Sequence, residues 1–215
     1  MLTKFDKIYV IHLAERPYRY ESMMTEFQNI GIEEKVEVWW TCKREISNQI
    51  GDNIKTLRTS FYEQKRQLCE NVYGSVFNCS LEHYTIIKQA YLRGFESILI
   101  MEDDISFIKD KSFFEKCVEL MPHDYDIVKF HNTRAINRDI DTIKYIKSNF
   151  YVHSTLCYAL SRRGMQLLIE EYDNFFAASD VVIERLKRKQ KCNIYHLAFN
   201  NLCKPSGDAS NIIEN

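Results

Sequence analysis

Unbroken apolar runs and runs of helical period alternate along the chain. Ile8-Tyr9-Val10-Ile11-His12-Leu13 is β-branched and aromatic without polar alternation, the pattern of a strand covered on both faces, as in a parallel sheet. After a charged loop over Ala14 to Arg19, Met23, Met24, Phe27 and Ile30 recur at helical spacing from Tyr20 onward, and Gly31 supplies a stop. Val36 to Trp40 reads as a second strand, which completes a βαβ start. Residues Lys43 to Val76 are polar and weakly periodic, so partial helix within an irregular excursion is expected. From Ser80 to Arg93, Ile86, Ile87, Ala90 and Tyr91 share one helix face, closed by Gly94. Ser97-Ile98-Leu99-Ile100-Met101 is the clearest buried strand, and it leads straight into Glu102-Asp103-Asp104.

The second half continues the alternation. Asp110 to Met121 reads as a helix ended by Pro122, Asp126 to Phe130 as a strand, and Thr155 to Leu160 as another. Arg162 to Tyr172 and Asp180 to Arg188 follow as helices, and Asn193 to Phe199 as a last strand. The expected class is α/β, a central, mostly parallel sheet flanked by helices. With six Gly, three Pro and no repeat or low-complexity linker, one domain over 1–215 is expected. Within it two halves are expected, over about 1–110 and about 111–215.

Charge and cysteine usage narrow the partners. Lys plus Arg number 29 and Asp plus Glu 30, so there is no global field for nucleic acid, and no basic-aromatic stripe appears. The seven cysteines are odd in number and form no CxxC pair, which suits reduced thiols in a cytosol-like compartment. Ile8 to Leu13 is too short and wrongly flanked for a signal peptide, and no run approaches the ~18 apolar residues of a transmembrane helix. A cytoplasmic protein is expected, with membrane contact, if any, peripheral.

A strand ending in three acids directs carboxylates off the C-terminal edge of a sheet, where open α/β sheets bind ligands. Oxygen ligands of this kind suit Mg²⁺ or Mn²⁺, and such a cation bridges a diphosphate and offsets charge on a leaving nucleotide. In extended chain Glu102 and Asp104 share a face, so both are expected as metal ligands, with Asp103 in an orienting or ribose-side role. The plain alternative is that the acids cap a helix or meet solvent. Metal-dependent phosphoryl-transfer and hydrolytic enzymes also place carboxylates at strand ends.

Three blocks resemble glycosyltransferase family 25, which includes bacterial lipooligosaccharide and collagen galactosyltransferases: Ile8 to Arg19, Cys79-Ser80-Leu81-Glu82-His83, and Ile98 to Asp104. Tyr158 to Gly164 is similar to a strand-to-helix turn of the family, and Ser179-Asp180 to a downstream acidic position. Asn78 stands where the family has Gly, Ser80 and His83 are not adjacent, and His12-Leu13 replaces the commoner Asn-Leu. The resemblance implies a GT-A-like (Rossmann-like) fold, Mn²⁺ or another divalent cation, a UDP-sugar donor of galactose or glucose, a glycan acceptor and inversion at the anomeric carbon. It also places His12, Leu13 and His83 at the donor site.

For the inverting base, Asp180 fits by position and type, and Glu184 one turn on is the reserve; Asp180 is equally suited to plain N-capping. Arg16 and Arg19 suit phosphate oxygens or a solvated loop. Thr41 is placed to meet the base or ribose, or is structural. His196 is a candidate third metal ligand, and Lys204 a candidate to close over the diphosphate. A degenerate transferase-like domain that binds without catalysis is the alternative from another class.

Overall fold

A computed structural model describes residues 4–42, 70–131, 143–148, 154–198 and 201–206. The expected excursion over Lys43 to Val76 lies mostly outside these residues. The elements in chain order are β1 (Lys7–Leu13), α1 (Pro17–Ile30), β2 (Val36–Thr41), α2 (Glu70–Leu92), β3 (Ser97–Glu102), β4 (Ile105–Phe107), α3 (Lys111–Glu119), β5 (Ile127–Lys129), β6 (Tyr145–Lys147), β7 (Cys157–Ser161), α4 (Arg162–Asn174), α5 (Ser179–Arg188), β8 (Ile194–Leu197) and β9 (Cys203–Pro205). Seven strands form one sheet in the order β2-β1-β3-β7-β5-β8-β6, and β4 pairs with β9 in a small second ladder. β1, β2, β3, β5 and β8 run one way, while β7 and β6 run against them. The expected α/β architecture with a mostly parallel central sheet is the one observed.

The apolar runs lack alternation because both faces of the sheet are covered. Ile8 and Val10 of β1, Leu99 and Met101 of β3, and Cys157 and Ala159 of β7 enter one core with Met23, Phe27 and Ile30 of α1 and Phe114 and Val118 of α3. Tyr9, Ile98, Ile100, Tyr158 and Leu160 enter the other core, against Ile86, Ile87 and Ala90 of α2, Met165 and Leu168 of α4, and Val182 and Leu186 of α5. Burying a side chain the size of Phe27 or Phe114 stabilises by about 1.5–3 kcal/mol, so these helices are held chiefly by the sheet.

Local signals set the helix ends. α1 begins at Pro17, three residues before the expected Tyr20, because proline presets the helical φ at a position whose N–H needs no partner. It ends at Gly31, whose φ of +64° is the left-handed cap, and Gly94 closes α2 in the same way with φ +82°. Asp110 caps α3 by accepting from Phe113 N–H at 3.0 Å, and Ser161 caps α4 by accepting from Gly164 N–H at 3.0 Å. At Gly164 the backbone passes so close to β5 that a Cβ would lie 2.0 Å from the Asp126 carbonyl oxygen. α2 starts at Glu70 rather than Ser80, and Ile86, Ile87 and Ala90, which carry the apolar periodicity, pack on the sheet. No helix among the described residues is long and apolar enough to cross a membrane.

Candidate active site

The same-direction strands β1, β2, β3, β5 and β8 deliver Leu13, Thr41, Glu102, Lys129 and Leu197 to one edge of the sheet. β7 runs the other way, so its start, preceded by Thr155, lies at this edge too. β3 carries the acids. Its last residue is Glu102; Asp103 and Asp104 then turn the chain into β4.

Asp103 is buried and fully engaged. Its Oδ2 accepts from His12 Nδ1 at 2.9 Å and from the Leu13 N–H at 3.1 Å, and its Oδ1 from Arg19 Nη1 at 2.8 Å. Asp103, expected in an orienting or ribose-side role, ties the end of β1 and the first turns of α1 to the end of β3. Arg19 is buried, and Nη1 also lies 3.8 Å from Asp104 Oδ2, so its charge is directed at the acids from inside the fold. His12 makes an edge contact with Trp40 at 4.8 Å between ring centroids, and Trp40 stacks on Tyr20 at 5.3 Å while staying 57% exposed.

Glu102 and Asp104 have fewer partners. Glu102 Oε1 accepts from Thr155 Oγ1 at 2.6 Å and stands 3.4 Å from His83 Nε2. Burial by itself raises its pKa, but His83 and Thr155 outweigh that and hold the carboxyl below its ordinary value. Asp104 Oδ1 is buried without a hydrogen bond. Burial, with the neighbouring Glu102 charge, pushes Asp104 up to about 7, against the pull of Arg19. His83 is fully buried on α2, its Nδ1 bonded to Tyr158 Oη at 2.8 Å. One helical turn earlier stands Cys79, whose thiol is pushed well up by burial and then by the charges of Glu102, Asp104, Asp180 and Glu82. Glu102 and Asp104 act on this thiol from the end of β3, Asp180 from the start of α5, and Glu82 from α2 itself.

The other expected residues take varied places. Thr41 Oγ1 donates to Glu82 Oε1 at 2.8 Å, and Trp39 Nε1 to Glu82 Oε2 at 2.7 Å, so Thr41 anchors β2 to α2 through a buried carboxylate. Asp180 lies in the first turn of α5 and its charge acts on Cys79 and on Lys129. Glu184 is paired with Lys187 at 2.5 Å and Arg188 at 3.2 Å on its own helix. Lys129, buried at the end of β5, is lowered to about 8 by burial, which Asp180 and Glu184 oppose. His196 is its register partner on β8, and burial followed by the charges of Lys129 and Lys187 lowers it to about 4. His196 is therefore buried beside Lys129 at the same sheet edge. Among the described residues, Cys79, His83 and Glu102 form a group of three potential ligands whose ligand atoms lie within 4.8 Å of one another. Arg16 is half-buried in the turn before α1, and Lys204 is exposed on β9, opposite Ser106.

Cys79, Glu82, Lys129, Thr155 and Trp40 were not among the expected site residues. A lysine inside the apolar run Ile127-Val128-Lys129-Phe130 was a visible signal, as was the helical spacing of Cys79 and His83. Thr155 carried none.

Against known sequences, the profile described as "Glycosyltransferase family 25 (LPS biosynthesis protein)" matches residues 5–183. The chain belongs to glycosyltransferase family 25. It is 25% identical over 173 residues to the "Probable inactive glycosyltransferase 25 family member 3" of Bos taurus, which covers 77% of this chain and 29% of that protein. Human "Procollagen galactosyltransferase 2" is 26% identical over 179 residues, with 77% and 27% covered. This family-25 chain therefore spans less than a third of the length of those relatives. Among solved structures, a glycosyltransferase involved in the glycosylation of the major capsid of PBCV-1 superposes with a TM-score of 0.51 at 10% identity, covering 95% of this chain and 93% of that one. At that identity the likeness is one of fold, and the GT-A-like fold expected of family 25 is present.

Proposed function

We propose that this chain transfers a hexose, galactose or glucose, from a UDP-sugar to a glycan acceptor, with inversion and with the help of a divalent cation. The observation that carries the reading is the carboxylate pair at the sheet edge: Asp104 has a buried oxygen without a partner and a pKa pushed up to about 7 beside the Glu102 charge. Two acids that destabilise each other in this way suit a bound cation, and they fit Mn²⁺ or Mg²⁺ by their oxygen chemistry. Bound there, such an ion would offset charge on the departing diphosphate.

The chain's own residues supply the rest. Asp103, held by His12, Leu13 and Arg19, fixes the direction in which its two neighbours point. Trp40 offers an exposed indole at the end of β2 for a nucleobase to stack on, with Arg16 and Lys204 as cations for the phosphates. Asp180, at the N-terminus of α5 and close enough for its charge to act on the Cys79 thiol, is the base that takes the acceptor hydroxyl proton. A second reading, a family-25 domain that binds donor without transferring sugar, is favoured by the inactive proteins among the relatives.

Calorimetry with UDP and UDP-hexoses, with and without Mn²⁺, tests the donor site on wild type and Asp104→Asn. Release of UDP on adding glycan acceptors tests transfer. Manganese-dependent binding lost in Asp104→Asn, together with turnover lost in Asp180→Asn, is the expected result. Binding without turnover on any acceptor selects the second reading; no binding of any nucleotide sugar sinks both.

A further inference from the structure

We propose that Cys79, His83 and Glu102 form a binding site for a soft divalent cation such as Zn²⁺, separate in ligand chemistry from the oxygen-only site for Mn²⁺ or Mg²⁺. Cys79 and His83 are four residues apart on one face of α2, so the helix itself sets their thiol and imidazole side by side. Glu102 arrives from the end of β3. The ligand atoms of all three lie within 4.8 Å of one another. Bond lengths of about 2.0–2.3 Å in a tetrahedral site put neighbouring ligands roughly 3.5 Å apart, a spacing that small side-chain rotations reach from here.

The second observation is the state of His83. The side chain is fully buried, its Nδ1 is used by Tyr158 Oη at 2.8 Å, and its Nε2 is buried with no hydrogen bond, 3.4 Å from Glu102 Oε1. A buried ring nitrogen aimed at a carboxylate, with the opposite nitrogen bonded to a hydroxyl, is the arrangement of a metal-binding imidazole and its orienting partner. Thr155 orients Glu102 in the same manner, at 2.6 Å. Sulfur, nitrogen and one carboxylate oxygen together favour zinc or cobalt over magnesium, and three protein ligands leave a fourth position open. The side chain of Glu102 is 27% exposed, which gives an ion a way in.

Sharing of Glu102 has a consequence that rests on the transferase reading: Zn²⁺ at this site competes with the donor's cation and inhibits transfer. The binding itself does not depend on that reading.

Cobalt(II) titration of the full chain, read by absorption, tests it. The expected result is one cobalt per chain with a thiolate-to-cobalt charge-transfer band in the near ultraviolet and the visible bands of a tetrahedral ion, both displaced by Zn²⁺. Cys79→Ser abolishes the charge-transfer band, whereas replacing Cys42, Cys69 and Cys192 by Ser leaves it. Tyr158→Phe, which keeps the ring but frees His83, retains the band and weakens binding about tenfold. Circular dichroism establishes that each variant is folded. No band at saturating cobalt, or a band that survives Cys79→Ser, overturns the site. Cobalt binding as expected with no binding of UDP-sugars leaves this site standing and removes the transferase reading; the converse removes only this site.

Discussion

On the β1–α1 side of the sheet edge, the Asp103 carboxylate accepts from a ring nitrogen, a backbone N–H and a guanidinium, all within 3.1 Å. Glu102 and Asp104 have between them one hydroxyl at 2.6 Å, an imidazole nitrogen 3.4 Å away, the shared Arg19 guanidinium 3.8 Å away and a buried oxygen with no bond. Three consecutive acids are thus divided between two kinds of work. The satisfied region is scaffold, and its carboxylate is worth most to the fold. The unsatisfied region holds two carboxyls whose burial and mutual repulsion hydrogen bonds do not fully offset, and the proposed cation site rests on that imbalance. A buried carboxylate is therefore informative about function only once its partners are counted.

Removal of Asp103 gives the largest effect that separates the two regions. Asp103→Ala leaves Arg19 and His12 buried without their acceptor and is expected to cost about 3–5 kcal/mol, read from urea unfolding. A loss below about 1 kcal/mol would make Asp103 another ligand-site acid and dissolve the contrast. Next comes Glu82, a satisfied carboxylate outside the triplet. Glu82→Ala strands the Trp39 and Thr41 donors and should lower stability by about 2 kcal/mol. Thr155→Val removes a single bond to Glu102, with an expected loss of about 1 kcal/mol and a rise in the Glu102 pKa measurable by carboxyl NMR titration.

Asp104→Asn is the smallest change at acidic pH and inverts in sign above it. The folded-state value of about 7 lies above the ordinary 3.8, so between these values the folded chain holds a proton that the unfolded chain releases. Wild-type stability falls through that window as pH rises, relative to Asp104→Asn, and the difference is constant above it. Denaturation at pH 4 and pH 8 reads this directly. His196, lowered to about 4, contributes the opposite slope from pH 4 to its ordinary 6.5, but it does so in both proteins and cancels in the comparison. Mn²⁺ should stabilise wild type more at pH 8 than at pH 5, because the ion displaces the Asp104 proton. Equal slopes in the two proteins would contradict the proposed environment of Asp104.

Much of the fold was legible from pattern. The strands around Ile8 to Leu13 and Ser97 to Met101 show as apolar runs because both faces are buried, and the helices expected from Asp110 and Arg162 begin within one residue of those positions. β4, β6 and β9 are three residues each and exist by pairing with distant partners, so no local pattern marks them. The triplet and Asp180 were legible as candidates. The partners of Asp103 were not, since they lie 84 to 91 residues away. His196 illustrates the same limit: its neighbours follow from β8 lying beside β5 in the sheet, which sets Lys129 in register with it.

The amino-acid sequence by itself determined the α/β class, the two-sided burial of the central strands and the position of three acids at a strand end. Those features depend on periodicity, capping residues and local chain direction, which act within one or two turns of backbone. Tertiary structure decided which acid became fully hydrogen-bonded and which remained unsatisfied, because groups from β1, α1, α2 and the residues before β7 reach the triplet only when the sheet order brings them together. Burial and neighbouring groups then moved the Asp104 carboxyl up and the Glu102 carboxyl down from their ordinary values, a property of the surroundings that residue identity does not carry.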